Sequence, residues 1–273
     1  MTLAPADQIG VVSWNVNSLG QLKSQRTFIN KIRGMKANII FLLDTRLGKG
    51  DEEEFERMWG GKVFFNALCS NSRGLAVLVK DNTPITDIGW ENVIPGNFSR
   101  LTFKAEGQLV LIKCIYAPNE DSNPNNTDNE SSRFFEQVLD DRDEEKYDHK
   151  LIAGDFNVAL DHDLDTNGYL HINNPNTREL LTRQYKLSNL VDIWRLRNTD
   201  SRQYTFSKKQ ARNHTRAQLD FFLVSDNSTQ YIKDVKIGRV WSLSDHRPIH
   251  LQMTFSKVQR GRGFWRMRNE LLN

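Results

Sequence analysis

The chain has 273 residues, 38% hydrophobic and 26% charged, the make-up of a soluble globular protein; collagen-like, disordered and membrane-spanning classes are excluded. In its first hundred residues no apolar run is longer than Ile39–Leu43, far short of the roughly 20 residues that cross a bilayer. Net charge is +3, but residues 120–148 hold eleven Asp/Glu against Arg133, Arg142 and Lys146, a net of −8, so the rest carries +11 and is suited to a polyanion.

The length fits one large domain, expected over residues 1–255. Cys69 and Cys114 stand in no metal-ligand or redox spacing, which fits a reducing compartment. The N-terminal residues, with Asp7 and Gln8, lack a basic start and an apolar run, so no secretory signal is expected.

In chain order, residues 10–14 read as a strand, 22–35 as a helix, 39–43 as a strand and 52–59 as a helix. Strands follow at 74–80, 101–104 and 109–116. A loop rich in Asn, Asp and Pro (119–129) then leads to a helix over 131–143, with Ser131 as its N-cap. The last elements are a strand at 150–153, a helix at 177–185 and strands at 219–224 and 249–255. Runs such as Ala76-Val77-Leu78-Val79 and Leu109-Val110-Leu111-Ile112 are apolar on both faces, as strands covered on both sides are. Layered sheets with helices outside are implied. Residues 256–273 differ: Lys257, Arg260, Arg262, Arg266 and Arg268 gather around two glycines and read as a basic linker leaving the domain.

There is no P-loop lysine, no Gly-x-Ser-x-Gly elbow and no His-Glu-x-x-His helix. Instead, short polar clusters stand where strands end, the place where open α/β architectures collect their sites. Asn15 and Asn17 follow the first strand; at alternate positions they share a face, or else they form an Asx turn. Asp44-Thr45 ends the second strand, and Tyr116-Ala-Pro-Asn119 ends another. Gly154-Asp155-Phe-Asn157 places a carboxylate and an amide two apart, on one face if the backbone is extended. Asp220 interrupts an apolar strand, where a buried carboxylate needs a partner, and Ser244-Asp245-His246 supplies a histidine. Hard oxygen donors without cysteine suit Mg²⁺ or Mn²⁺. His246 held by Asp220 is a general base or a phosphate clamp, and Asp155 can orient water: a toolkit for attack on a phosphodiester.

These six blocks, in this order and spacing, resemble the endonuclease/exonuclease/phosphatase superfamily over residues 9–255. The resemblance implies an α/β fold, a four-layer αββα sandwich of two packed mixed β-sheets with the site at the strand ends. Within the superfamily the chain looks like the apurinic-type endonuclease domain of non-LTR (LINE-type) retrotransposon polyproteins. That likeness implies an enzyme acting in the nucleus. It nicks one strand of double-stranded DNA, and the exposed 3′-hydroxyl primes a reverse transcriptase carried in cis beyond the basic linker. It assigns Asp44 and Asp245, with Asn15, to Mg²⁺ (Mn²⁺ substituting), Asp155 to water activation and Asn157 to positioning. His246 with Asp220 handles proton or charge, and Asn15, Tyr116 and Asn119 meet the phosphate or support the site. Asp44 stands where family members most often carry Glu.

Tyr204-Thr205-Phe206 and the polar loop after it resemble a β-hairpin that enters the DNA minor groove. Arg202, Lys208, Lys209, Arg212, His214 and Arg216 are its cations, and with Thr205 they are expected to follow the DNA backbone. No membrane partner is expected, and the isolated domain is expected to be a monomer. Competing readings are an abasic-site repair endonuclease, a lipid phosphodiesterase or phosphatase with the same acid/His set, and a DNA-binding module disabled at Asp44.

Overall fold

The computed structural model describes residues 8–69, 71–119, 130–142, 144–172, 174–209 and 214–255. In chain order the first half forms β1 (Gln8–Asn15), α1 (Leu22–Arg33), β2 (Ile39–Leu43), α2 (Lys49–Trp59), β3 (Lys62–Asn66), β4 (Leu75–Val79), β5 (Thr86–Ile94), β6 (Phe98–Ala105) and β7 (Gln108–Tyr116). Next come α3 (Glu130–Leu139), β8 (His149–Asp155), α4 (His162–Asp165), β9 (Thr166–Asn167), α5 (Pro175–Leu187), β10 (Leu190–Asp192) and α6 (Ile193–Arg197). The last are β11 (Phe206–Lys209), β12 (His214–Ala217), β13 (Asp220–Ser225), β14 (Ile232–Ile237) and β15 (Ile249–Thr254).

One six-stranded sheet runs β14-β15-β1-β2-β4-β3 and the other β10-β13-β8-β7-β6-β5. Each is mixed: β1 lies parallel to β2, β7 lies parallel to β8, and the other pairs are antiparallel. Side chains alternate across a strand, so each apolar run feeds two layers. Val11, Ile39, Phe41 and Val77 meet Leu101, Ile112, Leu151 and Phe222 between the sheets. Their neighbours Val12, Trp14, Ile40, Leu42 and Leu78 face outward onto Phe28 and Ile32 of α1 and Phe55 of α2. On the other side Ile115, Ile152 and Leu223 receive Phe134, Phe135 and Val138 of α3 and Leu181 of α5. The result is the expected αββα sandwich.

The two parallel pairs aim the C-terminal ends of β1, β2, β7 and β8 at one edge. The antiparallel partners β13 and β15 begin there, as the pairs Asp155–Asp220 and Ser13–Ile249 show. Every polar block of the sequence therefore lands at one rim.

Some elements differ from expectation. The edge strands β3, β5 and β14 carry half-exposed, mixed residues and lack a clean apolar run. The helix expected over 131–143 runs instead from Glu130 to Leu139, so Ser131 lies buried inside its first turn and is not the N-cap. No described helix is long and apolar enough to cross a membrane.

Candidate active site and nucleic-acid interface

The centre of the rim is His246. Its Nδ1 lies 2.8 Å from Asp220 Oδ2 and its Nε2 lies 3.8 Å from Asp155 Oδ2, and all three residues are buried. The backbone around the ring is held on three sides. His246 N–H donates to Ser244 Oγ (3.0 Å), Ser244 Oγ donates to Asn15 O (2.7 Å), and Trp14 Nε1 donates to His246 O (3.0 Å). Burial alone would lower the imidazole pKa, but the carboxylates of Asp220, Asp155 and Asp245 outweigh it and raise it to about 9. His246 is thus an imidazolium at neutral pH. Burial, then repulsion from Asp220, raises Asp155 to about 7 against the pull of His246, the Asn157 N–H and Asn15.

Asp155 ends β8, and Gly154 before it permits the approach: φ is 153°, and a Cβ there would stand 1.9 Å from Ile115 O of β7. Both oxygens of Asp155 are directed. Asn15 Nδ2 donates to Oδ2 (2.9 Å) across the gap between the sheets, and the Asn157 N–H donates to Oδ1 (2.9 Å). Asn157 does not share an extended face with Asp155. Its φ is 51°, and its amide turns to donate to Ala117 O (2.7 Å), so its backbone orients the carboxylate.

Asn15 and Asn17 satisfy both readings of their spacing. Asn17 N–H donates to Asn15 Oδ1 (3.0 Å), an Asx turn, while Asn17 Nδ2 donates to Asp245 Oδ1 (3.1 Å). Both ends of the Asn15 amide are engaged within the protein, so it aims Asp155, and Asn17 is the amide that stands beside Asp245. Asp44, in a left-handed conformation after β2, accepts from Arg46 Nε (3.2 Å) and Nη2 (2.8 Å), and the same Nη2 donates to Asn17 Oδ1 (3.3 Å). Asp44, Asp245, Asn17 and Arg46 make one connected mouth. Burial, with the nearby negative charges of Asp44 and Asp155, pushes the Tyr116 phenol well above its ordinary range, so it stays a hydrogen-bond donor. Asn119 is exposed just beyond.

The expected hairpin forms as β11 against β12, with β9 as a third strand. It is bonded to the segment that carries His246. Ser207 N–H donates to Asp245 O (3.0 Å), Arg247 N–H donates to Thr205 O (2.7 Å), and the Phe206 ring lies 5.0 Å from the His246 ring. Thr205 is not a DNA-facing side chain: it is fully buried, with Oγ1 accepting the N–H groups of Leu219 (3.0 Å) and Asp220 (3.1 Å). Arg202, Lys208 and Lys209 are exposed, and Arg216 is half-buried over the Tyr204 ring. Arg212 and the basic segment 256–273 lie outside the described residues. Sequence spacing did not mark Arg46, nor Asn174, whose amide donates to Asn157 O (2.5 Å); neither belongs to a motif block.

The family model for the Endonuclease/Exonuclease/phosphatase family matches residues 12–246, nearly the whole described body. The chain belongs to this family. It is 27% identical over 237 residues to a 149 kDa protein of transposon TX1 from Xenopus laevis, an alignment covering 86% of this chain and 17% of that protein. The resemblance to a retrotransposon domain is thus matched by a transposon relative. Among solved structures the fold is similar to the AP endonuclease LMAP of Leishmania major, with a TM-score of 0.74 at 18% identity over 92% of this chain and 89% of that one. It is also similar to the 3′ phosphatase NExo from Neisseria bound to a product DNA hairpin, with a TM-score of 0.69 at 18% identity over 90% of this chain and 100% of that one.

Nucleases of the family depend on a divalent metal, and the donors present fit one. Asp155, Asp220 and His246 bring their side-chain atoms within 4.8 Å of one another, but His246 is protonated and hydrogen-bonded to Asp220, so this trio is the proton-handling set. The metal-fitting groups are Asp44 and Asp245, two carboxylates at the mouth and both hard oxygen donors.

Proposed function

We propose that the chain is a metal-dependent DNA endonuclease that nicks one strand of duplex DNA and leaves a 3′-hydroxyl to prime reverse transcription. The observation that carries this reading is the direct bonding of a cationic hairpin to the Asp245–Arg247 segment, which holds His246 between Asp220 and Asp155. The relative from transposon TX1 is a far longer protein, which supports placing this domain in a larger polyprotein; in this reading residues 256–273 are the basic linker toward a reverse transcriptase in cis. In that setting the enzyme works in the nucleus.

Bound Mg²⁺ or Mn²⁺, held by Asp44 and Asp245, would supply charge neutralisation at the phosphate. Asp155, deprotonated above about 7, takes a proton from water as the water oxygen bonds to phosphorus. The His246 imidazolium, steadied by Asp220, and the protonated Tyr116 phenol donate to the phosphate oxygens, where negative charge gathers. The P–O3′ bond breaks, and O3′ takes a proton from solvent, giving a 3′-hydroxyl and a 5′-phosphate.

The test is nicking of supercoiled plasmid with Mg²⁺ and with chelator, beside a duplex containing one abasic site. Nicking of intact plasmid is expected to need Mg²⁺, and His246→Ala is expected to slow it by about 10³-fold. Cleavage confined to the abasic duplex would move the protein to repair, and binding without cleavage would make it a DNA-binding module.

A further inference from the structure

We propose that Leu170, backed by Ile172, is an apolar wedge pressed between neighbouring base pairs of duplex DNA beside the nicked phosphate. The proposal rests on the DNA-nuclease reading and deepens it by naming a residue that selects the site. Among the described residues Leu170 is the most exposed large apolar side chain, at 86%, and Ile172 two residues on is 46% exposed. A single exposed leucine is ordinary. The way the chain holds this one is not.

The loop is fastened at both feet. Before it, Thr166 and Asn167 pair with Ala217 and Arg216 of the hairpin strand β12. Gly168, at φ 78°, lies so close to β12 that a Cβ would stand 2.6 Å from His214 O. Tyr169, like Phe206, packs against the cluster of Ala159, Ala217 and Leu219. After it, Asn174 is buried in a left-handed turn with its amide on Asn157 O (2.5 Å), and Pro175 starts α5. Leu170 is therefore borne on a short bridge from the cationic hairpin to the residue that orients Asp155.

Feet held in this way leave less of the chain to be ordered on insertion. The neighbouring cations choose the occupant. Lys208, Lys209 and Arg216, on the hairpin whose strand β12 pairs with the foot of this loop, suit phosphates, and an apolar side chain carried beside phosphate-binding cations has base faces as the apolar surface of duplex DNA to meet. Apolar wedges that unstack a step act this way in groove-binding proteins, and flexible pyrimidine–purine steps yield most readily. Leu170 thus reads deformability where no base edge need be contacted.

The test uses the full chain at saturating concentration, in chelator to prevent cleavage, with a duplex carrying 2-aminopurine at the step flanking the mapped nick. Wild type is expected to raise the fluorescence on binding, Leu170→Ala to lose about threefold or more of that rise, and Leu170→Phe to keep it. With Mg²⁺, Leu170→Ala is also expected to spread plasmid nicks over more steps. Truncating so exposed a side chain leaves the core intact, so a loss of signal is not a loss of fold. An equal rise with Leu170→Ala, or wild type that binds without a rise, overturns the wedge alone. Wild type that neither binds nor nicks duplex DNA overturns the nuclease reading and the wedge with it.

Discussion

At the residue scale the site is a set of charges whose neighbours decide their protonation. Asp155 and His246 face each other at 3.8 Å, and their environments push both upward, so that each is shifted toward its protonated form. The signs give a bell-shaped profile. Below about 7 Asp155 is protonated and cannot accept a proton from water; above about 9 His246 is neutral and loses its grip on the phosphate. Nicking is expected to rise through the first value and fall through the second, and Asp155→Asn should remove the acid limb along with most of the activity. A single-turnover pH series in Mg²⁺ checks this, and a rate flat from pH 6 to 10 would refute it. The Asp44–Arg46 clamp belongs to the same scale: a carboxylate shorter than the usual Glu is steadied by two hydrogen bonds from a guanidinium.

At the scale of elements, β7 and β8 matter most, because their parallel contact sets where Tyr116 and Asp155 stand. Gly154 makes that contact possible. A methyl group there would overlap Ile115 O, so strand and carboxylate must both move. Gly154→Ala is expected to cost about 3 kcal/mol or more, and to lower nicking further than the stability loss explains. Urea unfolding and nicking measured below the unfolding transition separate the two effects; an unchanged midpoint would refute the claim. The hairpin is the second decisive element, because its first strand is hydrogen-bonded to the Asp245–Arg247 segment and its second pairs with β9, which leads into the loop that carries Leu170.

For the whole molecule, charge asymmetry matters more than net charge. A body of +11 with an acidic stretch of −8 suits a polyanion despite a total of only +3. Phosphate contacts release counterions, so affinity should fall steeply with salt. Replacing both Lys208 and Lys209 by Gln is expected to make the slope of log affinity against log salt shallower by about 2, near 0.9 per lost phosphate contact. Fluorescence anisotropy from 50 to 300 mM salt measures it, and an unchanged slope would show that the hairpin does not track phosphate.

The sequence alone determined the sheet cores and the fold, and it picked out the polar residues that the structure gathers at one rim. Runs such as Ile39–Leu43 and Leu75–Val79 admit one reading in a two-sided sheet, and polar blocks at strand ends stand out against apolar runs. What it could not determine was how side chains at those ends divide their bonds. Asn15 turned inward to Asp155, Asn157 served through its backbone, Thr205 was buried under Asp220, and Arg46 took hold of Asp44. The edge strands β3, β5 and β14 escaped notice for a related reason: they are half-exposed, so burial imposes no clear pattern on them. Local patterning follows from which residues must leave water. The direction of each hydrogen bond at the rim is settled only when two sheets, a hairpin and their left-handed turns are brought within 3 Å of one another.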